Sequence, residues 1–451
     1  MSGLSGAHIA VIGLGASGVA AARLALDKGG DVYVSDLCIE PKAAARRTDL
    51  RARGARVELG GHDIERLARS DMVVVSPGIP PHAPVLRALQ DCGVGWISEP
   101  EFAFRFFSGP LVAVTGTNGK TTTTLLLGHL LEEAGLRVAV GGNVGGGLAP
   151  PASELALLQH PPDWYVLEIS SFQLSGIETF SPQVGVLTNL SPDHLDWYPC
   201  LEAYYADKAK IFDNADDQSI WVLPAGDDSV GSLIGDAPGN RFYFGEFEES
   251  GSHAFLTDGI LTLRPEDHLK PLLEAEELSL LGRHNIRNAL AASLAAHLVG
   301  VQDESIMTGL RTATPLPHRL ELVADRNGVI WVNDSKATNV AATRSALESL
   351  LLPTVLLLGG VDKGEDFRAL VPPGANIRAI LAYGAAGPRI VREVGKAVLV
   401  EGDLESVIQR AATLAEPGDL ILLSPACSSF DMFDNYEERG RLFTALACGS
   451  V

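Results

Sequence analysis

Cysteine is scarce in this 451-residue chain, and its five copies are scattered at Cys38, Cys92, Cys200, Cys427 and Cys448. No Cys-x-x-Cys pair occurs, which argues against a zinc knuckle or a disulfide scaffold and fits a reducing cytosol. Positive charge is also in deficit: 35 Lys and Arg stand against 56 Asp and Glu, a formal net charge of −21. Such a balance excludes a general nucleic-acid or acidic-membrane surface, so no nucleic-acid partner is expected. Any anionic ligand must be held by individual Lys and Arg residues inside motifs. Long apolar runs are missing too. No segment reaches about 18 uninterrupted apolar residues, and the N-terminus lacks a basic stretch followed by an apolar one, so neither membrane insertion nor a secretory leader is expected.

What is present describes a globular chain with real cores, 46% hydrophobic and 20% charged. The length suggests about three domains. Short apolar runs alternate with helical stretches and many end in glycine, the α/β pattern of mostly parallel sheets covered on both faces. Three strand-then-glycine openings recur, His8 to Gly13, Leu111 to Gly116 and Thr354 to Gly359, and each is expected in its own sheet. Turn formers cluster at Ser108-Gly109-Pro110 and at Thr314-Pro315-Leu316-Pro317, which places domains at 1–98, 99–315 and 316–451. The Arg241 to Lys270 stretch, rich in Gly, Asp and Glu, reads as short strands and turns inserted in the middle domain.

The most informative segment is Val112-Ala-Val-Thr-Gly-Thr-Asn-Gly-Lys-Thr-Thr-Thr-Thr124. A buried strand leads into a Gly-rich turn and then a helix N-terminus, where backbone N–H groups and the helix dipole attract an anion. Lys120 reaches the β/γ-phosphates of a nucleoside triphosphate and the Thr121 hydroxyl meets Mg²⁺. The usual G-x-x-x-x-G-K-[ST] pattern needs glycine where Val114 stands; here the loop is the shorter Gly116-x-x-Gly119-Lys120-Thr121.

Gly13-Leu-Gly15-Ala-Ser-Gly18 follows another strand, and Asp36 ends the next one. The turn suits NAD(P), another nucleoside diphosphate, or simple helix-on-strand packing. Ser76-Pro77-Gly78 ends a further strand and belongs at the same sheet edge. Glu168 closes the apolar run from Trp164. A carboxylate at a strand end can be a surface cap, but beside phosphates it supplies the hard oxygen that Mg²⁺ needs. His194, in the loop after Val184 to Asn189, is an ordinary loop histidine or a ligand. Leu201 to Phe212 reads as an amphipathic helix with Lys208 in the middle of its apolar arc and Lys210 pointing away. Lys208 either snorkels or is desolvated, with a lowered pKa and enough nucleophilicity to take up CO₂ as a carbamate, an anionic oxygen ligand for Mg²⁺. Asn285 and Asn288, Arg319, Asp334 with Lys336, Thr338 and Asn339, Lys363, and Ser428-Ser429-Phe430 fall in polar loops at predicted turns and strand ends. Together they put cations and hydroxyls at the sheet edges of an acidic protein.

These residues carry a resemblance. Thr115-Gly-Thr-Asn-Gly-Lys-Thr121, with Glu168, His194, Lys208 and Gly282-Arg-His-Asn-Ile-Arg-Asn288, resembles the Mur ligase family, to which folylpolyglutamate synthases also belong. Leu316-Pro-His-Arg319, Asn333-Asp-Ser-Lys-Ala-Thr-Asn339, Ser424-Pro-Ala-Cys-Ser-Ser-Phe-Asp431 and Glu438-Arg-Gly440 are similar to its D-glutamate-adding branch, and the match runs from about Val11 to Phe443. The resemblance implies three domains: a Rossmann-like one for a UDP-sugar, a P-loop-type ATPase, and a Rossmann-like one for the incoming amino acid. It implies a cytoplasmic, monomeric, ATP-dependent ligase that joins D-glutamate to UDP-N-acetylmuramoyl-L-alanine through an acyl phosphate, in peptidoglycan precursor synthesis. Gly116, Thr117, Asn118, Gly119, Lys120, Thr121, Thr122, Asn285, Asn288, Arg319 and Asp334 would bind ATP. Thr121, Glu168, His194 and carbamylated Lys208 would hold two Mg²⁺ ions, with Lys120, His194 and Lys208 catalytic. Gly15, Ala16, Ser17, Ser76, Gly78 and Asn143 would contact the UDP-sugar; Lys336, Thr338, Lys363, Ser429, Phe430 and Tyr436 would surround D-glutamate. One departure stands out: relatives often carry Thr-Arg after the acid that ends the second strand, for the uracil end, whereas Leu37-Cys38 follow Asp36 here.

Two other classes compete. A dehydrogenase built on the first glycine loop leaves Lys120, Glu168 and Lys208 without a task. A non-catalytic ATP-binding protein would hydrolyse ATP with no dependence on an amino acid.

Overall fold

The structure is a computed structural model that describes residues 3–145, 147–193, 197–266, 268–350, 352–372 and 374–449. Each of the three strand-then-glycine openings starts a helix or loop off a different sheet, as expected. The first sheet contains β1 His8–Ile12, β2 Asp31–Asp36, β3 Arg56–Leu59, β4 Met72–Val75 and β5 Ile97–Ser98. All its pairings are parallel, in the order β3-β2-β1-β4-β5. Strand order reverses between β1 and β4, and the loops after those two strands carry Gly13–Gly18 and Ser76–Gly78, where ligands of open α/β sheets bind.

The second sheet contains β6 Leu111–Thr115, β7 Val138–Gly142, β8 Trp164–Glu168, β9 Val184–Leu187, β10 Ile220–Pro224, β11 Asn240–Phe244, β12 Ser252–Thr257, β13 Ile260–Leu263 and β14 Lys270–Glu274. Its order is β14-β13-β12-β11-β10-β9-β6-β8-β7. The parallel part places β6 between β8 and β9, so the phosphate loop, Glu168 and the Thr188-Asn189 turn leave the sheet side by side. The Arg241 to Lys270 stretch is not a separate insertion. Its strands continue the central sheet, and only the β12-β13 and β13-β14 pairs turn antiparallel. The third sheet contains β15 Glu321–Arg326, β16 Val329–Asn333, β17 Thr354–Gly359, β18 Ile377–Tyr383, β19 Ala397–Leu399 and β20 Leu420–Leu423. Its order is β15-β16-β20-β17-β18-β19, parallel except for the β15-β16 edge pair.

Both faces of each sheet are covered, which is why β1, β6 and β17 are near-continuous apolar runs rather than alternating ones. Every residue of β6 and of β17 is buried. The first sheet separates one apolar core around Ile9, Val11 and Leu24 from another around Ile12, Val75 and Leu86. The third likewise divides a core around Leu356 and Ile390 from one around Leu357 and Val407. The chain forms two compact units: Met1–Glu277 with Arg287–Arg311, which holds the first two sheets, and Leu278–Ile286 with Thr312–Val451, which holds the third.

Candidate active site

In the first unit, the helix Lys120–Glu133 follows the phosphate loop, and its N-cap Gly119 offers no side-chain cap. Gly116 and Gly119 have φ of +139° and +81°, values that L side chains rarely adopt. Space forbids side chains as well: a Cβ would come within 2.0 Å of Thr188 Oγ1 at Gly116 and 2.3 Å of Asn288 Oδ1 at Gly119. The loop is strapped to the turn after β9. Asn118 N donates to Asn189 Oδ1 at 3.0 Å, Thr188 Oγ1 to Asn118 O at 2.6 Å, and Thr117 Oγ1 to Ser191 O at 3.0 Å. The Lys120 ammonium folds back on the carbonyls of Gly116 and Thr117 at 3.1 and 2.8 Å. Thr121 and Thr122, in the first helical turn, are buried. Asn288 faces this helix, its Oδ1 3.4 Å from Thr123 Oγ1.

Lys208 confirms its place in the apolar arc: it is 1% exposed. The helix is shorter than expected. It ends at Ala209, and Lys210–Phe212 tightens into a 3-10 turn that seats Ile211 and Phe212 in the core. Lys208 Nζ donates to Gly116 O at 2.7 Å and lies 4.7 Å over the Tyr204 ring. Burial first, and then the charge of Lys120, push its ammonium well below the usual lysine range, against the opposing pull of Asp193 and Glu168. The neutral amine this favours is the form that reacts with CO₂. Lys210 instead caps Ser175 O at 2.7 Å.

Glu168 is 3% exposed. Its Oε1 accepts from Asn143 Nδ2 at 3.3 Å, and its Oε2 has no hydrogen-bond partner among the described residues. A buried carboxylate oxygen without a donor suits a cation. Among the described residues, no group of three or more His, Cys, Asp or Glu gathers tightly enough to hold a metal by itself. His194 lies outside the described residues.

The first glycine loop is built differently. Gly18 lets the helix Ala16–Asp27 close onto the turn, since a Cβ there would sit 1.9 Å from Gly13 O. At Gly15 and Gly78 a Cβ would meet nothing within 4 Å, so that face is open. Gly15 and Ala16 are exposed and Ser17 is half-buried beside them, and Ser76 Oγ is buried without a partner among the described residues. The dinucleotide reading loses its ribose acid. Asp36 turns its carboxylate inward, accepting from Leu14 N at 2.5 Å and Cys38 N at 2.7 Å. The backbone after β2 folds over it, leaving Leu37 exposed.

The second unit gathers the remaining loops. Arg319 lies between two residues with left-handed φ, His318 at +64° and Leu320 at +41°, a conformation that is stored only where neighbours hold it. Here Glu321 accepts from His318 N at 2.8 Å and Asn333 Nδ2 meets His318 Nδ1 at 2.9 Å. Asp334 accepts from Ser424 Oγ at 2.7 Å and from Leu320 N at 3.3 Å, and burial pushes its carboxyl up to about 7. Asn285, at the start of the Arg283–Leu298 helix, donates from its amide to Leu281 O at 2.7 Å. Lys363 Nζ reaches Thr338 Oγ1 at 3.4 Å, Lys336 Nζ lies 5.8 Å from the Tyr436 ring centre, Ser429 is buried, and Phe430 is 72% exposed.

Three groups of residues were given no role by the sequence reading, although Arg439 lay within the Glu438-Arg-Gly440 string. Thr188, Asn189 and Ser191 hold the phosphate loop in shape; their only signal was polarity at the end of β9. Gln173, just beyond Glu168, buries an amide nitrogen with no partner among the described residues. Arg439 is fully buried and ties together the loops after β16, β17 and β20. It donates to Ser335 Oγ at 2.9 Å, Ser335 O at 2.8 Å, Cys427 O at 3.2 Å and Gly359 O at 3.4 Å.

Comparison with known proteins accounts for this arrangement. Residues 7–98 match the Mur ligase MurD-like N-terminal domain, 114–296 the Mur ligase middle domain, and 318–427 the Mur ligase glutamate ligase domain. The UDP-N-acetylmuramoylalanine–D-glutamate ligase of Acidobacterium capsulatum is 41% identical over 98% of this chain and 96% of its own length. That of Anaeromyxobacter dehalogenans is also 41% identical, over 98% of both chains. In fold, the chain is similar to the MurF ligase of Thermotoga maritima solved in complex with ADP, with a TM-score of 0.62 at 17% identity, covering 93% of this chain and 95% of that one. On this sequence similarity and these matched domains, the chain belongs to the Mur ligase family.

Proposed function

We propose that this chain is the ATP-dependent ligase that joins D-glutamate to UDP-N-acetylmuramoyl-L-alanine in peptidoglycan precursor synthesis. The near-full-length identity to ligases of that name carries the reading. The assembled phosphate loop, Lys208 and Glu168 supply the chemistry. The alanyl carboxylate attacks the γ-phosphorus of ATP and ADP leaves, giving an acyl phosphate. The neutral amine of D-glutamate then attacks the acyl carbon, loses a proton and expels phosphate, leaving the amide. Lys120 and the helix N-terminus stabilise charge on the transferring phosphoryl group, so catalysis is mainly positioning and electrostatics. Two Mg²⁺ ions would be held by Thr121, Glu168, His194 and the carbamate of Lys208, and would neutralise phosphate charge.

ATP is assigned to residues 116–122, Asn285, Asn288, Arg319 and Asp334. Gly15, Ala16, Ser17, Ser76, Gly78 and Asn143 are assigned to the UDP-sugar. Lys336, Thr338, Lys363, Ser429, Phe430 and Tyr436 are assigned to D-glutamate. Among the described residues no helix is long and apolar enough to cross a membrane; we assign the protein to the cytoplasm as a monomer. The test is ATP-dependent phosphate release with UDP-N-acetylmuramoyl-L-alanine while the amino acid is varied. D-Glutamate should stimulate release. No stimulation, or equal stimulation by L-lysine, overturns the assignment.

A further inference from the structure

The short helix Glu99–Phe104 is the covalent bridge between the first two sheets, starting directly after β5 and ending shortly before β6. It carries two buried carboxylates, Glu99 and Glu101. Glu101 is saturated. Its Oε2 accepts from the amides of Glu178, Thr179 and Phe180 at 3.1, 3.0 and 2.8 Å, and its Oε1 from Thr179 Oγ1 at 2.7 Å and Arg105 Nε at 3.0 Å. Glu99 is not. Its Oε1 accepts from Ser153 N at 2.5 Å, while Oε2 has no partner among the described residues. Desolvation pushes this carboxyl up to about 7. A buried acid held by one amide is an expensive way to fill space, and no step of the ligation uses it.

What Ser153 anchors accounts for the arrangement. It sits in the helix Ala152–Leu155, directly behind Pro150-Pro151. Pro150 O accepts from Gly142 N at 3.0 Å. On its other side the same turn is held by Glu168, whose backbone oxygen accepts from Asn143 N at 2.8 Å and whose Oε1 accepts from Asn143 Nδ2 at 3.3 Å. The fit is tight: a Cβ on Gly141 would lie 2.4 Å from Pro150 O, and one on Gly142 2.3 Å from Glu168 O. The Gly142-Asn143 turn is therefore wedged between Pro150 and Glu168, and Pro150 is held in place by the anchored helix behind it.

We propose that Glu99 is a positioning residue: through Ser153 and Pro150 it sets the Gly142-Asn143 turn, and so the aim of Asn143 at the muramoyl substrate and the seat of Glu168. The kinetic part rests on the assignment of Asn143 to that substrate. Glu99→Asp withdraws the acceptor by one methylene and leaves the Ser153 amide unmet, whereas Glu99→Gln keeps both reach and acceptor. Two readouts on the full-length protein test this. In hydrogen–deuterium exchange without ligand, Glu99→Asp speeds exchange across residues 141–155 and leaves 178–180 unchanged. In steady-state kinetics it raises KM for UDP-N-acetylmuramoyl-L-alanine about 10-fold, as a small misplacement can, with KM for D-glutamate within about twofold. Glu99→Gln stays near wild type in both. Unchanged exchange in Glu99→Asp, an equal rise in KM for every substrate, or a Glu99→Gln enzyme as impaired as Glu99→Asp overturns the proposal. Exchange needs no substrate. A wild-type protein inactive on these substrates therefore sinks the functional reading, while the exchange data still decide whether Glu99 holds the turn.

Discussion

The loop after β1 and the loop after β6 share a plan: a buried parallel strand, a turn that opens on a glycine of positive φ, Gly13 or Gly116, and a helix whose glycine N-cap, extended at Gly15 and left-handed at Gly119, carries no side-chain cap. Behind the first loop stand a hydroxyl, Ser76, and an acid turned inward, Asp36, which braces the turn from within. Behind the second stand two lysines, Lys120 and the buried Lys208, with the unpartnered oxygen of Glu168 nearby. On the proposed assignment, the same opening would cradle a ligand in one place and drive phosphoryl transfer in the other. Side chains brought in from other elements make the difference, not the glycines.

Breaking the second loop should therefore have the largest effect on chemistry. Lys120→Ala is expected to lower kcat at least about 10²-fold, as for loss of a charge contact made in the transition state, measured by phosphate release. A drop confined to KM would show that Lys120 only binds. Lys208→Ala should be strongly impaired and partly rescued by acetate, which supplies a carboxylate in place of the carbamate. Full activity without additive removes the carbamate role.

The linker between the two regions gives a stability test. Burial raises the Glu99 pKa from its ordinary value of 4.5 to about 7. A raised folded-state pKa means the folded protein binds this proton more tightly, so its contribution is complete below about pH 4.5 and is lost as pH rises through 7. Glu99→Gln cannot ionise. It should flatten this fall, gaining up to about 3 kcal/mol over wild type above pH 7, read as thermal or denaturant stability from pH 5 to 8. Parallel curves for the two proteins contradict it.

The first loop should answer to packing instead. Gly18→Ala forces a Cβ against a backbone oxygen that cannot step aside, so a loss of about 1–3 kcal/mol is expected from overpacking. Gly15→Ala points into open space. Its stability should stay within about 0.5 kcal/mol of wild type, with a rise in KM for the UDP-sugar and not for ATP. A Gly15→Ala protein as unstable as Gly18→Ala would mean the two glycines do the same work.

Much of this was legible in the chain. Gly116, Gly119 and Lys120 are fixed in meaning by local geometry: the turn demands left-handed backbone, and the lysine follows directly on the helix start. Glu168 was legible as a strand-end carboxylate, and the helical arc pointed to Lys208 as a lysine on an apolar face. The strand-to-glycine openings announced three sheets for the same local reason. Asp36 misled, because the spacing of an acid after a glycine loop does not say which way its carboxylate turns. The continuation of the central sheet through Arg241 to Lys270 was also hidden, since strand pairing is a long-range choice.

By itself, then, the sequence determined the strands, the glycine turns, the helix that starts at Lys120 and the list of candidate site residues, all of which depend on neighbours a few residues away. Only the tertiary structure decided which of those side chains are buried and what they serve. Arg439 gathers three loops from a residue separation of 104 to Ser335, Glu99 meets Ser153 across 54 residues, and Lys208, whose Nζ donates to Gly116 O across 92 residues, has its ammonium disfavoured first by burial and then by the charge of Lys120. Burial, and with it charge state and hydrogen-bond partnership, is a property of the packed sheets. No spacing rule in the chain encodes it.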